Sequence, residues 1–468
     1  MGKPTDIKIL SANHSVESIN YRSPIKFGGR VVTSVQLLHV AIEVENRSGK
    51  RGLGHGSMPL GNVWAWPTAA ESGERTLDAM RKLGEAITGV ANSITDFGHP
   101  TDFLHPLAGL RTRLAVQIEK TLSLAEPMPV LAQLVAASPL EAAIFDALGR
   151  LDDVSSYSRL SSEFMNQDLS HFLDQSFKGE YLDKYTRTKP KPTLPLYHLV
   201  GALDPLFPSD ITTPLNDGLP ESLGDWIAYD SLTRLKIKLA GDDLAWDLNR
   251  VITVEKAASE KQAQLGRTNW RYSLDFNEKC ASVDYVIEFL NRLQSKSQNA
   301  FDRIEYLEQP THRDLKRFPN NKMHAAAAIK PVVIDESLID YESLLLARDL
   351  GYSGVALKAC KGQSESLILA AAAQKLGMFL CVQDLTCPGM SFLQSASLAA
   401  HVPTVAAIEG NARQYCPQGN RDWAARLPAL FQPREGEIRS EFLHGPGVGY
   451  AALPLRNSCV ERAPGSVR

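Results

Sequence analysis

Charged side chains end five successive apolar segments in the second half of the sequence. The segments read RLKIKLA, RYSLDFN, IEYLEQP, PVVIDES and GVALKAC, and the residues concerned are Lys236, Lys238, Asp275, Glu308, Asp335 and Lys358. Their spacing is close to the roughly 30 residues that one strand, one crossover helix and two loops require. A (β/α) barrel builds its chemistry at the carboxyl ends of its strands. We therefore predict that these side chains meet at one mouth of a barrel.

The three carboxylates suggest a metal site. Asp275, Glu308 and Asp335 would repel one another in a barrel mouth, and a hard divalent cation removes that repulsion. Ligands that are all oxygen favour Mg²⁺ over zinc or copper, and Mn²⁺ suits the same ligands. The alternative is that each carboxylate caps a helix or lies in a loop. That alternative explains any one of them, but it explains three in successive units poorly.

The lysines could move protons. Lys236 and Lys238 are two residues apart, so they share one face of a strand, and the alternating leucines place that face inside the barrel. Their mutual repulsion predicts a lowered pKa for at least one, toward roughly 7–8. The alternative is an exposed edge strand with solvated lysines. Lys358 would reach the substrate from the opposite side. Lys361 lies beyond the strand and is expected to be solvated or to contact a helix start.

Such a site fits the removal of a proton α to a carboxylate. That proton is a very weak acid, because its loss gives a dianion. A bound cation and a nearby ammonium each stabilise the dianion by several kcal/mol in a dry site. Lysines on either face could then remove or return the proton.

Five further polar residues are candidates for the pocket. Asn277 shares a face with Asp275, whereas Glu336 follows a ligand candidate and is expected to orient its neighbours. Asp384 ends the seventh apolar run, where it either faces the pocket or caps the next segment. Glu409 and Asn411 belong to the eighth run.

Composition excludes several classes of protein. The 468-residue chain has a net charge of −3, so it lacks the excess of basic residues that is typical of nucleic-acid-binding proteins. It has no run of roughly 18 uncharged apolar residues for a membrane, and the N-terminus lacks a signal-peptide core. The six cysteines form no CxxC pair. We therefore expect a cytoplasmic enzyme with free thiols at Cys280, Cys360, Cys381, Cys387, Cys416 and Cys459.

The patterning divides the chain into four parts. Residues 1–151 read as an α+β domain that begins with an antiparallel meander, and residues 152–190 as an insertion and linker. Residues 191–415 contain eight apolar runs separated by helical segments, which predicts a barrel. Residues 416–468 are expected to return to the first domain. Within residues 1–151, the segment SPLEAAIFDALGRL predicts a helix with Ser138 as its N-terminal cap.

These motifs resemble the enolase superfamily, specifically its mandelate racemase/muconate lactonizing enzyme group. KIK, DFN, EQP, DES and LKACKG resemble successive strand signatures of the group, AIFDALGRL its helix before the barrel, and GPGVG its C-terminal Gly-rich strand. The resemblance implies an α/β fold, a (β/α)7β TIM-like barrel with an N-terminal α+β capping domain completed by the C-terminal segment.

The resemblance also assigns roles to residues. It makes Asp275, Glu308 and Asp335 ligands of Mg²⁺, and Lys238 and Lys358 the catalytic lysines, with Lys236 in support. Lys358 lies on the sixth barrel strand, and in this respect the chain resembles the muconate lactonizing subgroup. The implied partners are a small-molecule carboxylate substrate and further copies of the chain, in a homo-oligomer.

The chain departs from the dipeptide epimerases of this subgroup at the eighth strand. They carry Asp-x-Asp there, and this chain has Glu409-Gly410-Asn411. The resemblance further implies two substrate-selecting loops, near Tyr21–Arg30 and Gly54–Trp66. The first is cationic, and the second offers Trp64 and Trp66.

The expected activity is Mg²⁺-dependent abstraction of an α-proton to give a metal-stabilised enolate. Racemisation, epimerisation or cycloisomerisation would follow. A syn-dehydratase, either acid-sugar or succinylbenzoate synthase-like, shares the same first step. A Schiff-base aldolase that uses Lys358 and a non-catalytic barrel are further alternatives.

Overall fold

An antiparallel sheet of three strands opens the fold. The computed structural model describes residues 2–27 and 30–450, and the side chain of residue 27 is outside this description. The strands are β1 (Ile7–Phe27), β2 (Arg30–Asn46) and β3 (Arg51–Pro59), with β2 in the centre. The side chain of Asn46 accepts hydrogen bonds from the N–H groups of Ser48 and Lys50, which fixes the turn between β2 and β3. The predicted meander is confirmed.

Four helices follow the sheet, and the last of them packs on it. They are α1 (Asn62–Ala65), α2 (Gly73–Gly89), α3 (Leu104–Leu122) and α4 (Val130–Arg150). Glycines at alternate positions of β3 let α4 approach the strand closely. A Cβ on Gly54 would lie 2.2 Å from the carbonyl oxygen of Ala143, and one on Gly56 would lie 1.8 Å from that of Pro139.

The predicted start of this helix is wrong. The helix α4 begins at Val130, so Pro139 lies inside it and Ser138 is not its cap. Proline cannot donate the N–H that would bond to the carbonyl of the residue four positions earlier. Here that carbonyl belongs to Val135, and it accepts the hydroxyl of Ser138 at 2.9 Å. The Ser-Pro pair therefore continues the helix.

By length and composition alone, α4 could span a membrane. However, 83% of its most apolar window is buried within the protein, as expected for the core helix of a globular fold.

Residues 151–192 have few regular elements but contribute to the core. Tyr157, Leu169, Phe177 and Leu182 are buried in the main hydrophobic cluster. The ring of Tyr157 stacks on that of His401 with centroids 3.7 Å apart. The described part of the chain contains short 3₁₀ turns at Ala91–Ser93, Pro100–Phe103, Ser156–Arg159, Leu169–His171, Gln175–Phe177, Leu182–Lys184, Pro208–Asp210, Ala359–Lys361 and Pro417–Asn420.

Eight parallel strands then form a closed barrel, because the last of them pairs with the first. They are β4 (Thr193–Val200), β5 (Arg234–Lys238), β6 (Arg271–Asp275), β7 (Ile304–Glu308), β8 (Val332–Ile334), β9 (Gly354–Leu357), β10 (Phe379–Val382) and β11 (Val405–Glu409). A short strand, β12 (Glu437–Arg439), adds antiparallel to β4.

Helices separate the barrel strands. They are α5 (Leu223–Asp230), α6 (Leu244–Gln264), α7 (Val283–Lys296), α8 (Gln298–Asp302), α9 (His324–Ala327), α10 (Tyr341–Asp349), α11 (Gln363–Lys375) and α12 (Met390–His401). After β11 come α13 (Ala412–Tyr415), α14 (Arg421–Arg426) and α15 (Pro428–Phe431). The predicted (β/α)7β barrel with an α+β cap is confirmed.

The described end of the chain contacts α4. Gly447 exchanges backbone hydrogen bonds with Val154 and Ser156, and the N–H of Val448 donates to Asp146 at 3.0 Å. The cysteines at 280, 360, 381, 387 and 416 are buried and unpaired, whereas Cys459 lies outside the described residues. The division of the chain at residues 151, 190 and 415 stays a prediction.

Gly54→Ala should destabilise the protein. The new methyl group would meet the backbone of α4, which cannot rotate away, and such overpacking costs about 1–3 kcal/mol. Gly89→Ala is the matched control. A Cβ on Gly89 meets nothing within 4 Å, so the free energy of unfolding should stay the same or rise by up to about 1 kcal/mol. Urea denaturation measures both, and equal unfolding free energies would contradict the close contact.

Candidate functional site

The barrel brings the predicted charged residues together at its carboxyl mouth. Lys236 and Lys238 lie in β5, Asp275 ends β6 and Glu308 ends β7. Lys238 is the register partner of Asp275, and Asp275 is the register partner of Glu308. Asp335 and Lys358 directly follow β8 and β9. Every one of these residues is at most 6% exposed, so the solvated edge strand is excluded.

Lys236 stands at the centre of the carboxylates. Its Nζ lies 2.7 Å from Glu308, 3.1 Å from Glu409 and 3.2 Å from Asp275. Lys238 also donates to Asp275. The strand alternation therefore points both ammonium groups into the barrel, as predicted.

The second group of lysines surrounds Asp335. Lys358 Nζ lies 2.8 Å from one carboxylate oxygen. Lys361 Nζ lies 3.3 Å from the other oxygen and donates to the backbone carbonyl of Asp335 at 2.6 Å. The expectation that Lys361 is solvated is wrong, since it is only 2% exposed. It belongs to this cluster because the 3₁₀ turn after Lys358 carries it back over the barrel mouth.

The carboxylates, and not lysine repulsion, set most of these ionisation equilibria. Burial alone would lower the pKa of Lys236, but Glu308, Glu409 and Asp275 raise it well above its usual value. Asp335 likewise raises the pKa of Lys358 against burial. The lowering predicted for the lysine pair therefore fails for Lys236. Lys361 was not part of that prediction, but burial and the charge of Lys358 lower its pKa.

The carboxylates respond to the same charges. Burial would raise the pKa of Asp275 and of Asp335, but the adjacent lysines outweigh it and lower both. For Glu308, burial and the charge of Asp275 dominate and raise the pKa well above its usual value. The three acids thus interact strongly with one another across adjacent strands.

The donor chemistry fits a hard divalent cation. Asp275, Glu308 and Asp335 offer only oxygen atoms, and they end or follow three adjacent strands. Within residues 2–27 and 30–450, however, no group of three His, Cys, Asp or Glu side chains stands at metal-binding spacing. The ammonium group of Lys236 instead separates Asp275 from Glu308.

Two of the five pocket candidates, Asn277 and Glu409, contact the charged residues of the barrel mouth directly. Asn277 does so through its backbone, whose N–H donates to Asp275 at 2.8 Å. Glu409 accepts from Lys236 with one oxygen and from the Asn411 side chain with the other, at 3.1 and 3.0 Å. Asp384 instead accepts backbone N–H groups of Thr386, Cys387 and Asn411, so it caps the segment that follows it. Burial and the charge of Glu409 raise the pKa of Asp384 to about 8.

Trp64 of α1 forms a roof over the second lysine group. The Nζ of Lys358 lies 4.1 Å from its ring centroid, and that of Lys361 lies 5.7 Å away. The indole N–H donates to Glu336 at 2.9 Å, and the predicted role of Glu336 in orienting its neighbours stays a prediction. Burial and the charge of Asp335 raise the pKa of Glu336 to about 7. Its second oxygen, Oε2, is buried without a hydrogen-bond partner.

Arg313 connects α1, which carries Trp64, to the barrel. Its guanidinium pairs with Glu278 and donates to the backbone carbonyls of Trp64 and Ala65 at 2.9 and 3.4 Å. Trp66 is also buried, and its indole donates to Glu126 at 2.6 Å. In the other expected loop, Arg22 lies in β1 and pairs with Asp217.

Two cavities lie outside the group of buried lysines in the barrel mouth. One of about 290 Å³ borders the end of β4 and is lined by Leu199, Arg22 and Tyr415. Another, of about 760 Å³, separates the three-stranded sheet from α14 and includes His39 and Arg421 in its lining. Neither cavity is lined by the buried lysines.

The sequence argument missed Gln383. Its side chain donates to Glu308 from the end of β10. Alternation along the strand could have found it, because Cys381 lies in the barrel interior and Gln383 is two residues further on. By the same alternation, the side chain of Asp384, one residue further on, points away from the barrel interior.

Comparison with known proteins places the chain in a family. Residues 219–452 match the model of the enolase C-terminal domain-like family. This match extends over half of the chain, so the protein belongs to the enolase superfamily, as the motifs predicted. A comparison with curated protein sequences found no match.

Solved structures share the fold at low sequence identity. A dipeptide epimerase from Enterococcus faecalis V583, complexed with Mg and L-Leu-L-Tyr, has a TM-score of 0.59 and 15% identity, covering 94% of this chain and 99% of its own. A muconate lactonizing enzyme from Pseudomonas fluorescens, complexed with muconolactone, has a TM-score of 0.56 and 18% identity, covering 94% and 96%. An enolase from Bradyrhizobium, complexed with magnesium and mandelic acid, has a TM-score of 0.59 and 16% identity, covering 95% and 96%.

Trp64→Ala should expose the second lysine group. Reductive methylation, followed by mass spectrometry of the peptides, should modify Lys358 and Lys361 severalfold faster than in the parent. Trp246→Ala is the control, because Trp246 lies on α6 and is already 36% exposed. Equal rates in the parent and in Trp64→Ala would show that the indole does not shield these lysines.

Proposed function

We propose that the protein is an isomerase that removes the α-proton of a carboxylate substrate. The observation that carries this proposal is the position of the two lysine groups around the carboxylates. Strands β5 and β9 are four apart in an eight-stranded closed barrel, so Lys238 and Lys358 approach the mouth from opposite sides. A substrate held between them would present one face to each, which suits racemisation or epimerisation.

The contacts of Lys236 favour a supporting role for it. Three carboxylates hold its ammonium group and stabilise its charged form. The two bases must stand on opposite sides of the substrate, whereas the ammonium group of Lys236 stands between Asp275 and Glu308. Lys236 is therefore better suited to neutralise charge near the substrate carboxylate, while Lys238 and Lys358 exchange the α-proton.

Asp275, Glu308 and Asp335 would hold Mg²⁺, or Mn²⁺, in this proposal. The bound cation would stabilise negative charge on the substrate and weaken the attraction of the three carboxylates for lysine protons. The buried roof would keep water away from the reacting carbon, and this strengthens every charge interaction at the site.

The contacts of Glu409 argue against a dipeptide substrate. Both of its carboxylate oxygens are already engaged, one by Lys236 and one by Asn411. A substrate amino group would have to displace one of these partners. We infer a carboxylic acid without an α-ammonium group at this position. Elimination from a hydroxy acid begins with the same abstraction of the α-proton, so a screen for α-proton exchange also tests for a lyase.

The decisive experiment is a screen of carboxylic acids in D₂O with Mg²⁺, followed by NMR. The expected result is exchange of the α-proton for deuterium in at least one acid, with loss of exchange after EDTA treatment. The appearance of the opposite configuration would identify a racemase or epimerase, whereas loss of water would identify a lyase. If no acid exchanges, the proposed proton abstraction is wrong.

Removing one proposed ligand should weaken metal binding. Asp275→Asn, Glu308→Gln and Asp335→Asn should each reduce the affinity for Mg²⁺ by at least about tenfold, because each replaces a charged oxygen ligand with a neutral amide. Calorimetric titration measures this. Asp96→Asn is the control, since Asp96 is exposed on the surface. Three variants that bind Mg²⁺ as the parent does would overturn the ligand assignment.

The two lysines should have mirror-image roles in a racemase. Lys238→Ala and Lys358→Ala should each abolish racemisation, because each configuration needs its own base. Each variant should still exchange the α-proton of the enantiomer that its remaining lysine faces. Loss of turnover without this pattern would favour cycloisomerisation or elimination. Full activity in Lys358→Ala combined with loss in Lys361→Ala would transfer the role to Lys361.

A further inference from the structure

The turn that carries the second lysine group is held from outside the barrel. We define the lysine turn as residues 358–362. It contains a 3₁₀ turn at Ala359–Lys361 and leads directly into α11. Inside the turn, the N–H of Lys361 donates to the carbonyl of Lys358 at 3.0 Å, and the Ser366 hydroxyl donates to the same carbonyl at 2.9 Å. The position of Lys358 is thus linked to the first turn of α11.

Glu141, on α4, holds that first turn. One carboxylate oxygen, Oε1, accepts the N–H of Ser364 at 2.6 Å and that of Glu365 at 3.0 Å. The first N–H groups of a helix have no partner within the helix, so an acceptor there fixes where the helix begins. Glu141 is a residue of the capping region, 223 positions before Ser364.

The space around Gly362 shows how closely the two parts fit. Gly362 has a φ of 109°, and a Cβ at this position would lie 2.0 Å from Glu141 Oε2. Side chains other than glycine strain at such a φ. The carboxylate of Glu141 therefore occupies the side of the lysine turn that glycine leaves open.

A second contact supports the same place. The side chain of Gln363, the first residue of α11, donates to the Tyr157 hydroxyl at 2.9 Å. Tyr157 is itself stacked on His401. The start of α11 thus receives one contact from α4 and one from residues 151–192, both outside the barrel strands.

We propose that Glu141 is a positioning residue, which sets the placement of Lys358 and Lys361 by fixing the start of α11. The expected effect of Glu141 on turnover rests on the proposed function, whereas its effect on the structure of the lysine turn does not. A displacement of about 1 Å at a reacting group reduces turnover by on the order of 100-fold. The structural part of the proposal concerns order in the lysine turn and requires no substrate.

The variants are chosen to separate hydrogen bonding from charge. Glu141→Gln keeps a carbonyl oxygen that can accept both N–H groups, whereas Glu141→Leu keeps the bulk and removes the acceptor. Burial and the Glu365 carboxylate raise the pKa of Glu141 to about 7, so the glutamine also resembles its protonated form. Should Glu141→Leu fail to fold, Glu141→Asp replaces it, because the shorter side chain draws the carboxylate away from α11.

Hydrogen exchange measured by mass spectrometry tests the structural part. In Glu141→Leu, peptides spanning residues 358–366 should exchange at least about tenfold faster than in the parent, and peptides of α6 should not change. Glu141→Gln should resemble the parent. Unchanged exchange at residues 358–366, or an equal increase in α6, would overturn the positioning role whatever the enzyme catalyses.

Kinetics with a substrate found by the deuterium screen test the catalytic part. Glu141→Leu should lower kcat by on the order of 10- to 100-fold with KM within about twofold, because only the placement of the lysines changes. Glu141→Gln should restore most of kcat. An unchanged kcat in Glu141→Leu, or a change confined to KM, would overturn this part. Failure of the screen itself would refute the proposed function and leave the hydrogen-exchange result intact.

Discussion

The structure depends on the mutual neutralisation of buried charges in the barrel mouth. Lysines and carboxylates that would each be costly to bury alone lie within hydrogen-bond distance of one another there, with Lys236 at their centre. In the proposed reaction, a substrate carboxylate or a cation would enter by exchanging partners within this network. The same interactions that keep the charges inside the protein therefore control what can bind to it, and the aromatic roof keeps the exchange away from water.

Much of the fold could be predicted from the sequence, because its signals are local and repeated. Each barrel strand is a short apolar run with a charged end, and alternation correctly placed Lys236 and Lys238 inside. The start of α4 could not be predicted by the usual rules. A serine followed by proline ordinarily marks a helix start, and only the structure shows the hydroxyl of Ser138 replacing the hydrogen bond that Pro139 cannot make.

The site was predictable in its residues and less so in its electrostatics. The sequence suggested that repulsion within the lysine pair would lower a lysine pKa. Glu308 and Glu409, on strands distant in sequence, instead raise the pKa of Lys236. The burial of Lys361 and the contact of Gln383 with Glu308 were not predicted, for related reasons. The first depends on the path of a turn, and the second on counting strand alternation to its last residue. Contacts from Trp64 and Glu141 join distant parts of the chain and leave no local signal.

Helix α4 touches β3 through backbone, the described chain end through Asp146, and the start of α11 through Glu141. This has a consequence for exchanging domains between relatives. A chimera that joins a foreign cap ahead of α4 would keep the lysine turn supported, but the foreign strand would need glycines at positions 54 and 56 to pack on the native helix. A junction after Arg150 would move strand and helix together, and the incoming helix would then need a carboxylate where Glu141 stands. The sheet and α4 should therefore be exchanged together, and the fit of the incoming helix to a new barrel can be checked at the position of Glu141.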